Sequence, residues 1–171
     1  NLQLEGATRA AIDALQRAVA LAPQFLPAQI LLGDARVHAG RFDEADAAYR
    51  AALDIHPASG DAWRGLANIK TRPLSDADRE RLSSQLRRTD ASETDRIAMG
   101  YALGKVCEDQ ARYPEAFAAL NDANVRLNRT APWNAAAFRA FADAAIAATS
   151  ALPEPIDPGL GSEAILIVGL P

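Results

Sequence analysis

The sequence contains one cysteine and no long hydrophobic run, and these two scarcities exclude whole classes of protein. The single thiol, that of Cys107, cannot form an internal disulfide, which is compatible with a reducing compartment, so we expect a cytoplasmic protein. No stretch reaches the roughly 18 to 20 apolar residues of a membrane-spanning helix. The sequence therefore predicts neither a disulfide-stabilised domain nor a membrane protein.

Basic side chains lack the clustering that nucleic-acid binding needs. The 18 Lys and Arg residues are spread among 22 Asp and Glu residues, which gives a formal net charge of −4. Without a basic stripe, binding to phosphate backbones is not expected. Only Lys70 and Lys105 are lysines, and Ala supplies about a fifth of all residues, well above average usage. This bias towards Arg and Ala is typical of a GC-rich bacterial genome.

Aromatic side chains (6%) and histidines (two) are also scarce. A core built on Ala rather than on aromatic rings lets helices approach closely.

The two histidines, His38 and His56, lie at different places in the repeat, so we expect no metal site. Cys107 follows Val106 on a predicted helix, which favours burial as a small apolar group over reactivity. No catalytic residue and no cofactor-binding constellation is predicted in the helical part of the chain.

An internal repeat of 34 residues organises the first part of the chain. Five positions of one copy have counterparts in the preceding copy: Gly40, Ala45, Tyr49, Ala52 and Pro57 match Gly6, Ala11, Leu15, Ala18 and Pro23. Three positions recur in the following copy: Gln29, Leu32 and Gly33 match Trp63, Leu66 and Ala67. The complete copy spans about residues 26–59, and the partial copies extend the repeat region to residues 1–70.

This pattern resembles the tetratricopeptide repeat (TPR), on the strength of Leu32-Gly33, Ala45-x3-Tyr49, Pro57 and Trp63-x2-Leu66. The resemblance implies an all-α, right-handed solenoid of helical hairpins. Small residues at 33 and 45 let antiparallel helices pack, Gly40 permits a tight turn, and Tyr49 fills the gap between neighbouring hairpins. Because each hairpin buries one face by stacking on the next, we expect further repeats upstream, in a longer protein.

Residues 71–149 are predicted to form a variant, TPR-like helical region. Pro73 ends the period, and Ser75 with Asp78 predicts a capped helix to about residue 88. Further helices are predicted from Ser92 to about residue 110, over residues 115–127, and from Asn134 to about residue 149. The second and third of these four helices repeat the TPR spacing at Leu103-Gly104, Glu115-Ala116, Leu120 and Ala123.

The remaining residues predict a linker and one β-strand. Residues 150–163 are rich in Pro and Gly, as linkers are. Residues 164–171 are an Ile, Leu and Val run followed by Gly169, Leu170 and Pro171, which favours a buried strand entering a phosphate-binding loop. Two continuations suit such a strand: an ATP-binding Walker A loop, or the loop of sulfotransferases that use 3′-phosphoadenosine 5′-phosphosulfate (PAPS).

The order of parts resembles that of bacterial proteins that join TPR repeats to a PAPS-dependent sulfotransferase domain. Three stretches carry the resemblance: Ala102-Leu103-Gly104-Lys105, Tyr113-Pro114-Glu115-Ala116, and Ile165-Leu166-Ile167-Val168-Gly169-Leu170-Pro171. It implies that PAPS is the cofactor of the parent protein and that Gly169, Leu170 and Pro171 begin its binding loop. The alternatives are a free-standing TPR adaptor protein and a TPR-fused P-loop ATP-binding protein.

A TPR array would present the first helix of each hairpin along a groove that binds a protein or an extended peptide. The predicted groove residues are Asp34, His38, Arg64 and Asn68. Arg64 and Asn68 lie four apart on one helix face and resemble the pair with which some TPR proteins hold a terminal carboxylate. The complete copy has Ile30 and Asp34 at the corresponding positions, so an ordinary solvated face is the alternative.

Overall fold

The computed structural model describes the backbone of residues 2–149 and the side chains of residues 7–148. These residues form eight α-helices and no strand, so the prediction of an all-α fold is confirmed for them. The predicted linker (150–163), the predicted strand and loop (164–171) and Gly169, Leu170 and Pro171 lie outside the described residues. The helices are α1 (Leu2–Leu21), α2 (Leu26–His38), α3 (Phe42–Ile55), α4 (Gly60–Ala67), α5 (Asp76–Leu86), α6 (Glu93–Asp109), α7 (Tyr113–Thr130) and α8 (Ala135–Thr149).

The 34-residue period is visible in hydrogen bonds at the start of α2 and α4. The side-chain amide of Gln29 donates to the carbonyl of Pro23 (3.3 Å). The indole of Trp63, 34 residues later, donates to the carbonyl of Pro57 (2.9 Å). Both side chains are buried, so each bond satisfies a donor that water cannot reach. Gln29 and Trp63, which occupy the same position of successive repeats, thus each bind their helix to the turn that precedes it.

The turns inside the two hairpins share one geometry. Gly40, between α2 and α3, has φ 72°, which glycine adopts without steric cost. Ala111 occupies the equivalent point between α6 and α7 with φ 56°. In both turns the next residue donates to a carbonyl five residues back, Arg41 to Arg36 and Arg112 to Cys107, each at 2.8 Å. The α6–α7 connection is therefore the same turn as the α2–α3 connection, built without its glycine.

Neighbouring hairpins meet at the ring of Tyr49, as the sequence predicts. Tyr49 is 2% exposed on α3, and its ring faces Gly33 of α2 and Gly65 of α4. A Cβ at Gly33 would lie 2.5 Å from the ring, and one at Gly65 would lie 2.4 Å from it. These two glycines let the backbones of α2 and α4 approach one aromatic ring closely. The sequence pattern identified Gly33 in this role but not Gly65.

One buried cluster extends from the repeats into the variant region. It includes Tyr49, Trp63, Leu66, Leu82 and Met99, so α3 to α6 share a hydrophobic core. A second cluster, of Ile12, Leu32 and Ala48, joins α1 to the first hairpin. Residues on both sides of the predicted boundary at residue 70 thus contribute to one core.

An ion pair holds α5 against α3. Arg50 donates to Asp46 on its own helix (2.9 Å) and to Asp78 at the start of α5 (2.9 Å). Burial opposes ionisation of Asp78, but hydrogen bonds from Arg50 and Ser75 outweigh it and hold the pKa of this carboxyl below its usual value. Ser75 and Asp78 also form the capping box that the sequence predicts.

Several helix ends differ from the predicted ones, among them the C-terminal end of α7, which lies at Thr130 rather than near residue 127. Helix α7 begins at Tyr113 rather than near residue 115, because Pro114 occupies its first turn, where the missing N–H costs nothing. Helix α4 ends at Ala67, three residues before the expected end at Lys70. Turns follow the helix. In them the backbone N–H of Ile69 donates to the carbonyl of Leu66, and that of Arg72 donates to the carbonyl of Ile69.

The chain divides into two compact units, Asn1–Pro132 and Trp133–Pro171. Helix α8 is the described helix of the second unit. Its N-terminus is capped as predicted, because Asn134 accepts a hydrogen bond from the backbone N–H of Ala137 (2.9 Å). The rings of Trp133 and Phe138 lie 5.0 Å apart beside this cap.

Replacing Gly65 by Ala should destabilise the protein by about 1–2 kcal/mol. The new methyl meets the rigid ring of Tyr49, which also packs closely against Gly33, and this strain exceeds the gain of about 1 kcal/mol from helix propensity. The free energy of unfolding, measured in denaturant, reports the change.

Gly104→Ala is the matched control for this variant. There the new methyl meets the side chain of Leu120, which can change rotamer, so a smaller loss or a gain is expected. If Gly65→Ala were as stable as Gly104→Ala, Tyr49 would not be held between its two glycines.

Candidate functional site

The four predicted groove residues line one cavity of about 390 Å³, here called the groove cavity. Asp34 and His38 lie one turn apart on α2, while Arg64 and Asn68 come from α4 and its C-cap. The cavity forms because α2 and α4 are first helices of successive repeats, held side by side by Tyr49. The full lining is Ile30, Leu31, Asp34, Val37, His38, Tyr49, Asp61, Arg64, Gly65 and Asn68.

A hydrogen bond orients the carboxylate of Asp34. The hydroxyl of Tyr49 donates to Asp34 Oδ1 at 2.6 Å, across the inner surface of the cavity. Burial of Tyr49, its hydrogen bond to Asp34 and the charge of Asp34 all raise the pKa of the tyrosine well above its ordinary value. Because Tyr49 is fixed between two glycines, it holds Asp34 in one position.

Arg64 forms an ion pair with Asp61 one turn earlier (2.9 Å). The two side chains are 60% and 61% exposed, so the pair contributes about 1 kcal/mol or less and leaves the guanidinium accessible. Asp61 was absent from the sequence-based set, although its spacing of three residues from Arg64 places both on one helix face.

Asn68 is the C-cap of α4, and its backbone N–H donates to the carbonyls of Arg64 and Leu66. Its side-chain amide has no hydrogen-bond partner among the residues that the structure describes. Being exposed at the cavity, the amide offers one acceptor and two donors to a ligand.

An apolar edge accompanies these polar groups. Leu31 is 53% exposed, and Ile30 and Val37 are partly exposed beside it. Large exposed aliphatic side chains next to polar groups are typical of a ligand-binding cleft. Sequence reasoning missed Leu31, Val37 and Gly65, although each lies next to a predicted residue or one turn from it.

The remaining chemistry-bearing residues lie elsewhere. His56 lines a separate cavity of about 260 Å³ with Gln85 and Arg88, so the two histidines do not share a site. Cys107 is 2% exposed, as predicted, and burial raises the pKa of its thiol. Among the side chains of residues 7–148, no group of three His, Cys, Asp or Glu residues is placed to hold a metal ion.

Comparison with known proteins supports the repeat assignment. The family model described as tetratricopeptide repeat matches residues 2–69. The fold is of the tetratricopeptide-repeat type. No curated protein matches the sequence. None of the TPR helices, nor any other described helix, is long and apolar enough to cross a membrane. A TPR fold indicates protein partners, because stacked repeats create concave binding surfaces.

Replacing Tyr49 by Phe should change how stability depends on alkaline pH. The folded-state pKa of Tyr49 lies above the value of about 10 that a phenol has in an unfolded chain. Its contribution is therefore complete below about pH 10 and is lost as the pH rises, because the unfolded state releases the proton first. Tyr49→Phe should cost about 1 kcal/mol at neutral pH and make stability fall less steeply above pH 10.

Denaturant unfolding at a series of pH values measures this effect. Tyr113→Phe is the control, because Tyr113 is 64% exposed and its removal disturbs no buried group. If the free energy of unfolding of Tyr49→Phe fell as steeply above pH 10 as that of the unmodified protein, the Tyr49 hydroxyl would not be the group responsible.

Proposed function

We propose that the groove cavity binds an extended, internal peptide segment of a partner protein. The observation that carries the proposal is the meeting of Asp34, His38, Arg64 and Asn68, from two successive repeats, around one open cavity with an apolar edge. A cavity of this size accommodates a few side chains rather than a whole folded surface.

The lining supplies both kinds of contact that a peptide needs. The free amide of Asn68 can accept from a backbone N–H and donate to a backbone carbonyl of the peptide. Leu31, with Ile30 and Val37, can cover one apolar side chain, which contributes about 1.5–3 kcal/mol when fully buried. Two or three such contacts, reduced by the cost of ordering the peptide, correspond to affinities of about 1 μM to 1 mM.

An internal segment suits this cavity better than a C-terminal carboxylate. Arg64 already faces Asp61, and Asp34 contributes a second carboxylate to the same lining. A terminal carboxylate near Arg64 would therefore meet two negative charges, whereas a capped peptide bond would not.

Selection of a random peptide library on the protein tests this proposal. We expect peptides that bind in the groove cavity, and Asn68→Ala should weaken them about five- to tenfold by removing about one net hydrogen bond. Asn121→Ala, an exposed asparagine on α7, is the control and should leave binding unchanged. The proposal would be overturned if the two variants weakened binding equally. It would also be overturned if substitutions of the cavity residues left the binding of the selected peptides unchanged.

We further propose that the TPR segment belongs to a bacterial PAPS-dependent sulfotransferase and orients its acceptor or a second subunit. The support is the resemblance of residues 102–105, 113–116 and 165–171 to the corresponding stretches of such proteins. PAPS would be held by a loop that begins at Gly169, Leu170 and Pro171. These three residues lie outside the described part of the chain, so this proposal rests on sequence alone.

Sequencing of the gene beyond the codon for Pro171 tests the second proposal. Arg-Ser-Gly-Thr-Thr is the expected continuation, because its amides and hydroxyls would hold the phosphosulfate of PAPS. Gly-x-Gly-Lys-Ser/Thr would instead identify an ATP-binding protein, and a stop codon would identify a TPR adaptor. Either of these two results would contradict the sulfotransferase.

A further inference from the structure

We infer that the peptide bound in the groove cavity carries a lysine or arginine side chain that pairs with Asp34. This inference rests on the proposed peptide-binding function and adds the chemistry of the partner. It follows from the absence of an ion pair at Asp34, from the charge balance of the cavity and from the apolar side chains around the carboxylate.

Asp34 differs from the neighbouring acidic residues because no basic side chain neutralises it. Asp61 is paired with Arg64, Glu44 with Arg41, and Asp46 with Arg50. In the part of the chain that the structure describes, the Asp34 side chain accepts one hydrogen bond, from the Tyr49 hydroxyl, and forms no ion pair. Its second oxygen therefore has no protein donor there.

The charge of the whole cavity favours a cation. Its lining contains two carboxylates, Asp34 and Asp61, and one guanidinium, Arg64, so the formal sum is −1 with His38 counted as neutral. Because Arg64 already offsets Asp61, the unbalanced charge is that of Asp34. A partner group with charge +1 would neutralise the cavity, whereas an acidic group would increase the imbalance.

The surroundings of Asp34 suit a long basic side chain better than a free ion. Ile30 lies one turn before Asp34 on α2, and Leu31 and Val37 lie three residues to either side. These aliphatic groups can cover the methylene stem of Lys or Arg while the charged end reaches the carboxylate. Because the second carboxylate of the cavity, that of Asp61, is paired with Arg64, Asp34 alone offers too few oxygen ligands for a metal ion.

The position of Asp34 is also fixed before any ligand arrives. The Tyr49 hydroxyl donates to one carboxylate oxygen, and the buried ring of Tyr49 packs against Gly33 and Gly65, which restricts its movement. A carboxylate held in this way loses little conformational freedom when it pairs with a cation, which strengthens an otherwise exposed ion pair.

Peptides selected on the unmodified protein provide the test. Lys and Arg should be enriched over Asp and Glu, and replacing the basic residue of a selected peptide by norleucine should weaken binding about two- to fivefold. Asp34→Asn keeps the acceptor for Tyr49 and removes the charge, so the same replacement should then have little effect. Asp13→Asn, which changes an exposed carboxylate on α1, is the control. In this variant the basic peptide should still bind about two- to fivefold more tightly than its norleucine analogue.

Ionic strength gives a second readout on the unmodified protein, so the test does not depend on any variant folding. The affinity for the basic peptide should fall as salt is added, and that for its norleucine analogue should not.

The possible failures are distinguishable. Groove-binding peptides without Lys or Arg enrichment would overturn this inference and leave the peptide-binding function intact. Enrichment of acidic peptides that depend on Arg64 would also overturn it. If no peptide bound in the groove cavity, the proposed function and this inference would both be wrong.

Discussion

The contact of one tyrosine ring with two glycines sets the geometry of this protein. Tyr49 on α3 sets the spacing of α2 and α4, because its ring lies against residues 33 and 65, which carry no side chain. That spacing places the first helices of successive repeats side by side and opens the groove cavity between them. The hydroxyl at the edge of the same ring orients Asp34. Core packing and the arrangement of the candidate site therefore depend on a single residue, and a change in the ring position would alter both.

Local signals in the sequence predicted most of the fold. Hydroxyl and amide caps at Ser75, Ser92 and Asn134 mark helix starts because they satisfy backbone donors without help from distant residues. Gly40 marks its turn for the same local reason. The turn at Ala111 gives no such signal, because alanine does not by itself favour the left-handed conformation that it adopts there. Gly100 and Gly104 of α6 pack against Ala123 and Leu120 of α7, which shows how closely these helices approach.

The site was predictable only as far as repeat position determines which helix face lies in the groove. The TPR resemblance predicted Asp34, His38, Arg64 and Asn68 as groove residues, since it implies that the first helix of each hairpin lines one surface. The partners of these residues were harder to predict. The bond between Tyr49 and Asp34 joins residues 15 apart in sequence, and its existence depends on how two helices cross. Which carboxylate is neutralised and which is left unpaired depends on such three-dimensional contacts and not on composition.

The difference between paired and unpaired carboxylates determines how the charges of the molecule are interpreted. Most of the described acidic side chains near the repeats form ion pairs with arginines of the same or a neighbouring helix, an arrangement that stabilises a surface only slightly. Asp34 would be available for such pairing too, since Arg64 lines the same cavity, yet Arg64 pairs with Asp61. Stability alone gives no reason for a fixed, unneutralised carboxylate beside exposed aliphatic groups. A partner cation gives one, because the charge and the aliphatic groups then contribute to the same contact.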